Sequence, residues 1–450
     1  MRRRAVRLDS GGCGQDQRDT DTGGGSLTGP LRGAAQVPNA CDSGSGLDGH
    51  GWFVTVRLFV SYNGGATLES VSLCASCTLP IYLATDTVVL PSLAGGNRTP
   101  TIVPFVFRAR ADVLPVDLGA VVVATYTSHS GEPRCAQCAF RLPLSLISAV
   151  IPPVKNPKYK VTLDTNRMPP PLPALFEDLV AGSSAAEAGA SALSVAYHCG
   201  LDATVLVSKN AGRYRVQSSS FEGLWVLADE LVRRLTAYFG LSSRAEGGED
   251  PFAVLYAEPL PLQEFFEVID EHLRCRNALS GLHEQLSQRA HQFRVIEKRL
   301  LVRLKDRNPA PLQNLELLFD GTYKQLVRLS DSTEAAQNQL AFHAVRLSAS
   351  TRLLLLLLRL RFRLDADDAE ILEAHLTPVV DEAQDQGWQE RVDVALTQLL
   401  RTTLSKSGRG SASASAPQAL ACPSDATKLK KHISLVVDRL SKRDPRARLG

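Results

Sequence analysis

The stretch WFVTVRLFVSY, residues 52–62, sets Trp52, Val54, Val56, Leu58, Val60 and Tyr62 against Phe53, Thr55, Arg57, Phe59 and Ser61. Successive residues of an extended chain face opposite sides of a sheet, so this period of two predicts a half-buried β-strand. Downstream, ESVSLCA, DTVVL, TIVPFVFRA, AVVVATYT and CAFRLPLSLI have the same character, and YNGGA, AGGNRTP and SHSGEPR separate them as turns. About seven short strands in roughly a hundred residues predict a β-sandwich over 52–150. Upstream, residues 1–51 hold twelve glycines and no Ile, Phe or Trp, which predicts a disordered segment.

After 150 the period changes. VIPPVKNPKYK reads as a stiff connector. KYKVTLDTN, ALSVAYH, ATVLVSKN, RYRVQSS and PFAVLYA read as strands, and PLPALFEDLV as a short helix. Ser219 and Glu222 have capping-box spacing ahead of an apolar face of Leu224, Leu227, Ala228, Leu231, Leu235 and Tyr238, with Gly240 as C-terminal cap. The expectation for 151–260 is an α/β layer domain of mixed strand order. From Leu262 strand signals stop. Phe265, Ile269, Leu273, Leu282, Leu286, Phe293, Ile296 and Leu300 repeat at helical spacing up to NPAP at 308–311, and the period resumes from 312 to about 347. This predicts a long antiparallel helical hairpin over 261–349. Helices at about 351–362, 367–376 and 388–404 make a helical region over 350–404. A Ser/Ala/Gly linker spans 405–426, and a basic helix and tail close the chain at 427–450.

Fifty Lys and Arg against 47 Asp and Glu leave a charge of +3, too balanced for a nucleic-acid binder, so no nucleic-acid partner is expected. MRRRAVRLDSGG has no apolar stretch after its basic start, so a cytosolic chain with reduced cysteines is expected. Leu353–Leu358, fenced by Arg352 and Arg359, falls far short of the ~20 residues that cross a bilayer, and no membrane span is expected.

Two Cys-x-x-Cys pairs, Cys74/Cys77 and Cys135/Cys138, raise a zinc-binding or redox alternative. Strand parity argues against it. Cys138 aligns with Phe140, Leu142 and Leu144, and Cys77 with Val71 and Leu73, whereas Cys74 aligns with Ser70, Ser72 and Ser76. Each pair is split between faces, although a zinc site needs its thiolates about 2.3 Å from one metal. The expectation is two core and two surface thiols, with no metal and no cofactor.

The chain lacks a GxxxxGK[ST] loop, a GxGxxG after a strand, HExxH and GxSxG, so no enzyme activity and no catalytic residue are expected. His272, His283 and His291 lack a second ligand at zinc spacing and read as core or solvated histidines. Asp367, Asp368 and Glu370 read as acidic residues in the first turn of a helix beginning after Asp365. In the C-terminal helix Leu429, Ile433, Val436, Val437 and Leu440 form an apolar stripe, and Lys430, Lys431, Lys442 and Arg443 lie largely off its centre. Such a helix suits peripheral contact with an anionic membrane through those four residues. It suits equally well a stripe packed on the preceding helices, which is the preferred reading.

PPVKNPKYKVTLDTN, RYRVQSSSFEGLWVLADELVRRL, APLQNLELLFDGTYKQL and LKKHISLVVDRLSK resemble corresponding stretches of the Bardet-Biedl syndrome 9 family, also called parathyroid hormone-responsive protein B1, from about Trp52 to the C-terminus. The resemblance implies a fold of a γ-adaptin-ear-like β-sandwich, an α/β platform, a helical hairpin and C-terminal helices. It also implies a non-enzymatic subunit of the BBSome, a coat-like complex that moves membrane proteins to and from cilia. Implied partners are the other BBSome subunits and, indirectly, an Arf-like GTPase and ciliary membrane-protein cargo. The implied location is the cytoplasm, the basal body region and the cilium. The family's seven-bladed N-terminal propeller has no counterpart in residues 1–51. An appendage-type module that captures short peptides is the overlapping alternative for the sandwich.

Overall fold

The computed structural model describes residues 5–7, 31–39, 41–46, 49–96, 99–154, 157–180, 191–208, 211–243, 251–305, 313–378, 387–401 and 426–443. The chain forms two compact units, 1–258 and 259–450.

The first unit opens with strands β1 (Ala5–Arg7), β2 (Leu31–Gln36), β3 (Asp42–Gly46), β4 (Gly49–Tyr62), β5 (Leu68–Cys77), β6 (Ile81–Leu83), β7 (Thr87–Leu93), β8 (Thr101–Ala109), β9 (Gly119–Thr127) and β10 (Pro133–Arg141). One sheet runs β1-β2-β4-β8-β6, with β3 also on β4, and the other runs β10-β9-β5-β7. Val54, Val56, Leu58, Val60 and Tyr62 of β4 are buried, as the alternation predicts. Phe107 of the first sheet meets Phe140 of the second edge to face, at 5.8 Å between ring centroids, which places the core between two sheets. Each such side chain contributes about 1.5–3 kcal/mol by leaving water.

The expected disorder of 1–51 is corrected over β2 and β3. β2 lies antiparallel on β4, with Leu31 opposite Tyr62 and Gln36 opposite Arg57, and Leu31 and Ala35 are buried. Its LRGAAQ sequence has little apolar content of its own. The strand is held by ladder hydrogen bonds to an edge that would otherwise be open. Serine 145 fastens the following loop: the Ser145 hydroxyl donates to the Asn39 carbonyl at 2.9 Å and lies 3.2 Å from the Cys41 thiol.

The unit continues with β11 (Ser148–Ile151), β12 (Tyr159–Thr165), helices α1 (Leu172–Leu175) and α2 (Glu177–Val180), then β13 (Ala192–Tyr197), β14 (Asp202–Val207), β15 (Arg213–Ser218), α3 (Leu224–Ser243) and β16 (Val254–Leu255). The sheet order is β11-β13-β14-β15-β12-β16, antiparallel at each pairing. Leu224, Leu227, Ala228, Leu231 and Leu235 of α3 are buried, as are Val161, Leu163, Val205, Tyr214 and Val216 of the strands it covers. Tyr238 is exposed. Ser219 does not cap this helix, because its hydroxyl is taken by the Asp202 carboxylate. The hydroxyl of Ser220 accepts from the Gly223 amide instead, at 3.2 Å. Gly240 does not end α3 either, since the helix runs on to Ser243.

The second unit is helical: α4 (Leu262–Lys305), α5 (Gln313–Phe362), α6 (Ala366–Leu376), α7 (Trp388–Arg401) and α8 (Thr427–Arg443). The boundary expected at 349/350 falls inside α5, so the hairpin's second arm and the expected helix at 351–362 are one element. Ser350 and Thr351 look like a break in sequence. Both are fully buried, and the Thr351 hydroxyl donates to the Leu347 carbonyl one turn back, at 2.7 Å. α5 has a window apolar enough to cross a membrane by composition, yet Leu353, Leu354, Leu357 and Leu358 are buried within the unit. The helix stops at Arg363, in the left-handed region at φ 49°. Asp365 then caps α6 by accepting from the Asp368 amide at 2.7 Å, as its acidic first turn predicts. The expected linker falls almost wholly outside the described residues, as do the tail beyond 443 and two residues of the NRT at 97–99.

Candidate interaction surfaces

The fully buried apolar side chains of the hairpin gather toward one end. Phe265, Val268, Ile269, His272 and Leu273 of α4 are enclosed at the base, together with the C-terminal leucines of α5. Further out, Leu282, Leu286, Phe293, Ile296 and Leu300 are half-buried along the seam, where the Phe293 and Phe319 rings lie 4.6 Å apart. Two helices share a single seam, so their outer ridges face solvent. Val295, Leu301, Val302, Leu304, Leu317 and Leu318 are exposed, Leu317 by 72%. A shallow groove of about 410 Å³ runs between the helices there. Exposed apolar surface gathered on one element is the ordinary mark of a partner site.

At the base a polar cluster ties α4 to α7. The Gln389 side-chain amide donates to His272 Nδ1 at 2.7 Å, and Arg276 Nη1 reaches both Glu390 oxygens at 2.5 and 2.7 Å. Burial, aided by Arg276 and His343, pushes the His272 pKa down to about 4, so the ring is neutral. Gly387 makes the arrangement possible: a Cβ there would stand 2.5 Å from the Arg276 guanidinium carbon. His272 is thus a core histidine, whereas His283 and His291 are exposed.

In the first unit, ion pairs join sandwich to platform. Arg141 of β10 reaches Asp117 at 2.7 Å, Asp229 at 3.0 Å and Glu230 at 2.7 Å, the last two on α3. Arg234 pairs with Asp178 and Glu230 and stands over the Phe176 ring, while the Trp225 indole donates to the Val116 carbonyl at 2.7 Å. Three guanidinium groups, those of Arg141, Arg233 and Arg234, share four carboxylates, Asp117, Asp178, Asp229 and Glu230. Burial, with Glu230 and Asp117 adding, raises Asp229 to about 6, while Arg234 and Arg141 hold Glu230 below its usual range against its own burial. Helical spacing shows only the Arg234–Glu230 pair, four residues apart on α3; the partners of Arg141, and Asp178 for Arg234, are distant in the chain.

The cysteines are dispersed. Cys74 and Cys135 are exposed, and Cys138 is buried. Cys77, expected in the core, is half-buried at the end of β5, where its thiol donates to the Ile81 carbonyl at 3.2 Å. Cys135 pairs across β9 with Thr125, whose partner on β5 is Ser72, two residues from Cys74. Cys74 and Cys135 are therefore two strand spacings apart, on the order of 10 Å, and offset along the strands, too far for one metal.

On α8 the stripe residues Leu429, Ile433, Val436 and Leu440 are buried against neighbouring helices, and Val437 is half-buried. Lys430 pairs with Asp270 of α4 at 2.5 Å, and Lys442 with Asp438 at 2.5 Å. Lys431 is exposed, and the Arg443 side chain lies outside the described set. The stripe is thus occupied by protein in this fold. His432 and Lys428 both bond Asp393 of α7 at 2.7 Å, which fixes the helix further.

Four family models match in succession: the PTHB1 GAE domain at 53–140, the PTHB1 platform domain at 143–255, the PTHB1 hairpin at 259–362 and the PTHB1 C-terminal helix bundle at 364–440. Protein PTHB1 of Homo sapiens is 39% identical over 394 residues, covering 86% of this chain and 43% of its own length. Protein PTHB1 of Xenopus laevis is 37% identical over 395 residues, covering 86% and 45%. The Caenorhabditis elegans protein pthb1 homolog is 28% identical over 193 residues, covering 42% of this chain and 23% of its own length. The chain spans less than half the length of these curated relatives. From its ear-like sandwich through its C-terminal helices, the chain is similar to the PTHB1 proteins.

Proposed function

We propose that this chain is a non-enzymatic scaffold subunit of the BBSome, supporting the traffic of membrane proteins to and from the cilium and ciliogenesis. The observation that carries the reading is the run of four PTHB1 domain types in one chain, in the order ear, platform, hairpin, bundle. The hairpin supports it physically. Its outer half keeps leucines and valines in water, which suits an element completed by a partner. Partners on this reading are other BBSome subunits, and through them an Arf-like GTPase and membrane-protein cargo. The working location is the cytoplasm, the basal body region and the ciliary membrane. The test is affinity purification of the tagged chain from ciliated cells. Recovery of other BBSome subunits is the expected result. A monodisperse monomer that recovers none of them ends the proposal.

A further inference from the structure

We infer that the groove along the outer half of the α4–α5 hairpin is a docking site for an acidic amphipathic helix of a protein partner. The inference rests on the reading of the chain as an assembly subunit and names the chemistry of what that subunit takes up.

The shape comes first. Val295 and Ile296 of α4 and Leu318 of α5 line the groove, and Gly321 leaves its floor open, since a Cβ there would meet nothing within 4 Å. A furrow between two antiparallel helices is the complement of a third helix, whose side-chain ridge seats at an interaxial distance of about 8–10 Å. Bilayers take up convex apolar ridges, so a concave apolar surface favours a helix.

Charge then selects the partner. Between 289 and 305 the chain carries Arg289, Arg294, Lys298, Arg299, Arg303 and Lys305 against Glu297 alone. Helical periodicity sorts them. Arg299 and Arg303 lie two and three turns beyond Gln292, on the face that Arg289, Gln292 and Ile296 present to the groove, while Glu297 lies well off it. On α5 the groove face runs through Leu318, Gly321, Thr322 and Gln325, and Glu316 and Asp320 fall on the other side. The groove is therefore apolar on its floor and of one sign along its rim. A helix with leucines on one stripe and Glu or Asp flanking it matches both, and a basic helix is repelled.

The test uses the full chain and two fluorescein-labelled three-heptad peptides, one with Leu at the stripe and Glu on the flanks, the other with Lys replacing Glu. Fluorescence anisotropy should show the Glu peptide binding at least tenfold more tightly, with the difference shrinking at high salt. Arg299→Glu with Arg303→Glu should reverse the preference, and Val295→Asp should abolish binding while circular dichroism shows helicity retained. Equal affinity for both peptides, or indifference to the reversal, overturns the inference. So does competition of the Glu peptide by phosphatidylserine vesicles, or sedimentation as a dimer whose Val295→Asp variant is monomeric. Affinity purification separates the two readings. If the wild-type chain and the double reversal recover BBSome subunits equally, the groove assignment falls and the scaffold reading stands. If the wild-type chain recovers none, the scaffold reading itself falls.

Discussion

Acidification should unlock the base of the hairpin through His272. Its ring is neutral in the folded state because burial, Arg276 and His343 all oppose a second proton, and Gln389 already donates to Nδ1. The folded pKa of about 4 lies below the ordinary 6.5. Below pH 6.5 the unfolded chain therefore binds a proton that the folded chain refuses, and stability rises with pH across that window. The contribution is fully present above pH 6.5, is lost progressively as pH falls toward 4, and is gone below it. At about 1.36 kcal/mol per pH unit the loss amounts to roughly 3 kcal/mol, a substantial share of a typical 5–15 kcal/mol. Trp388, nearly buried and next to Gln389, supplies the probe. With 5-fluorotryptophan at the three tryptophans, the fluorine resonance of Trp388 reports urea unfolding of this unit separately from the other. His272→Asn keeps an acceptor near the Nδ1 position and cannot titrate. It should flatten the slope between pH 6.5 and 4 while matching wild type at pH 7.5. Parallel acid loss in wild type and variant would refute the assignment.

Other expectations follow from the same geometry. Asp229 titrates in the opposite sense: its folded pKa of about 6 stands above 3.8, so stability falls as pH rises through that window, and Asp229→Asn should flatten the slope there in the Trp225 signal. Arg234→Ala strands Asp178 in a buried site and leaves Glu230 to Arg141 alone, and should cost about 3–5 kcal/mol in urea unfolding. Ile433→Asp should lower the stability of the helical unit by several kcal/mol, read at Trp388, because it places a charge in the occupied stripe of α8. Lys430, Lys431, Lys442 and Arg443 changed to Glu should leave co-sedimentation with anionic liposomes unchanged if α8 serves only to pack. A loss of sedimentation would assign those residues to the membrane. Elemental analysis should find no stoichiometric zinc, and Cys77→Ser with Cys138→Ser should not alter metal content.

What local pattern could encode was legible. The alternation from Trp52 to Tyr62 predicts the central strand, and cysteine parity separates buried Cys138 from exposed Cys74 and Cys135. Two of the failures share a cause, which is a partner remote in sequence. β2 is a strand because β4 offers an unpaired edge, and LRGAAQ alone says nothing of that edge. Ser219 has the spacing of a cap, but Asp202 on a neighbouring strand claims its hydroxyl. Ser350 and Thr351 interrupt an apolar pattern without interrupting the helix, since burial and a bond to the preceding turn keep the backbone coiled. The groove was half legible: its leucines and arginines are plain in the sequence, but the concavity between two helices exists only after they pair.

The continuity of α5 has a mechanical meaning. Fifty residues at 1.5 Å each make a rod about 75 Å long, one end in water beside the groove and the other locked among the bundle leucines. A jointed arm would absorb a push at its tip by bending where the pieces meet. This one has no such joint at Ser350 and Thr351, so flexing there means breaking backbone hydrogen bonds or shearing the packed row from Leu353 to Leu360. A load taken up at the outer end is therefore felt at the bundle as torque and tilt. The arm behaves as a lever, and its fulcrum is the base of the hairpin, where Arg346 of α5 pairs with Glu271 of α4 at 2.5 Å.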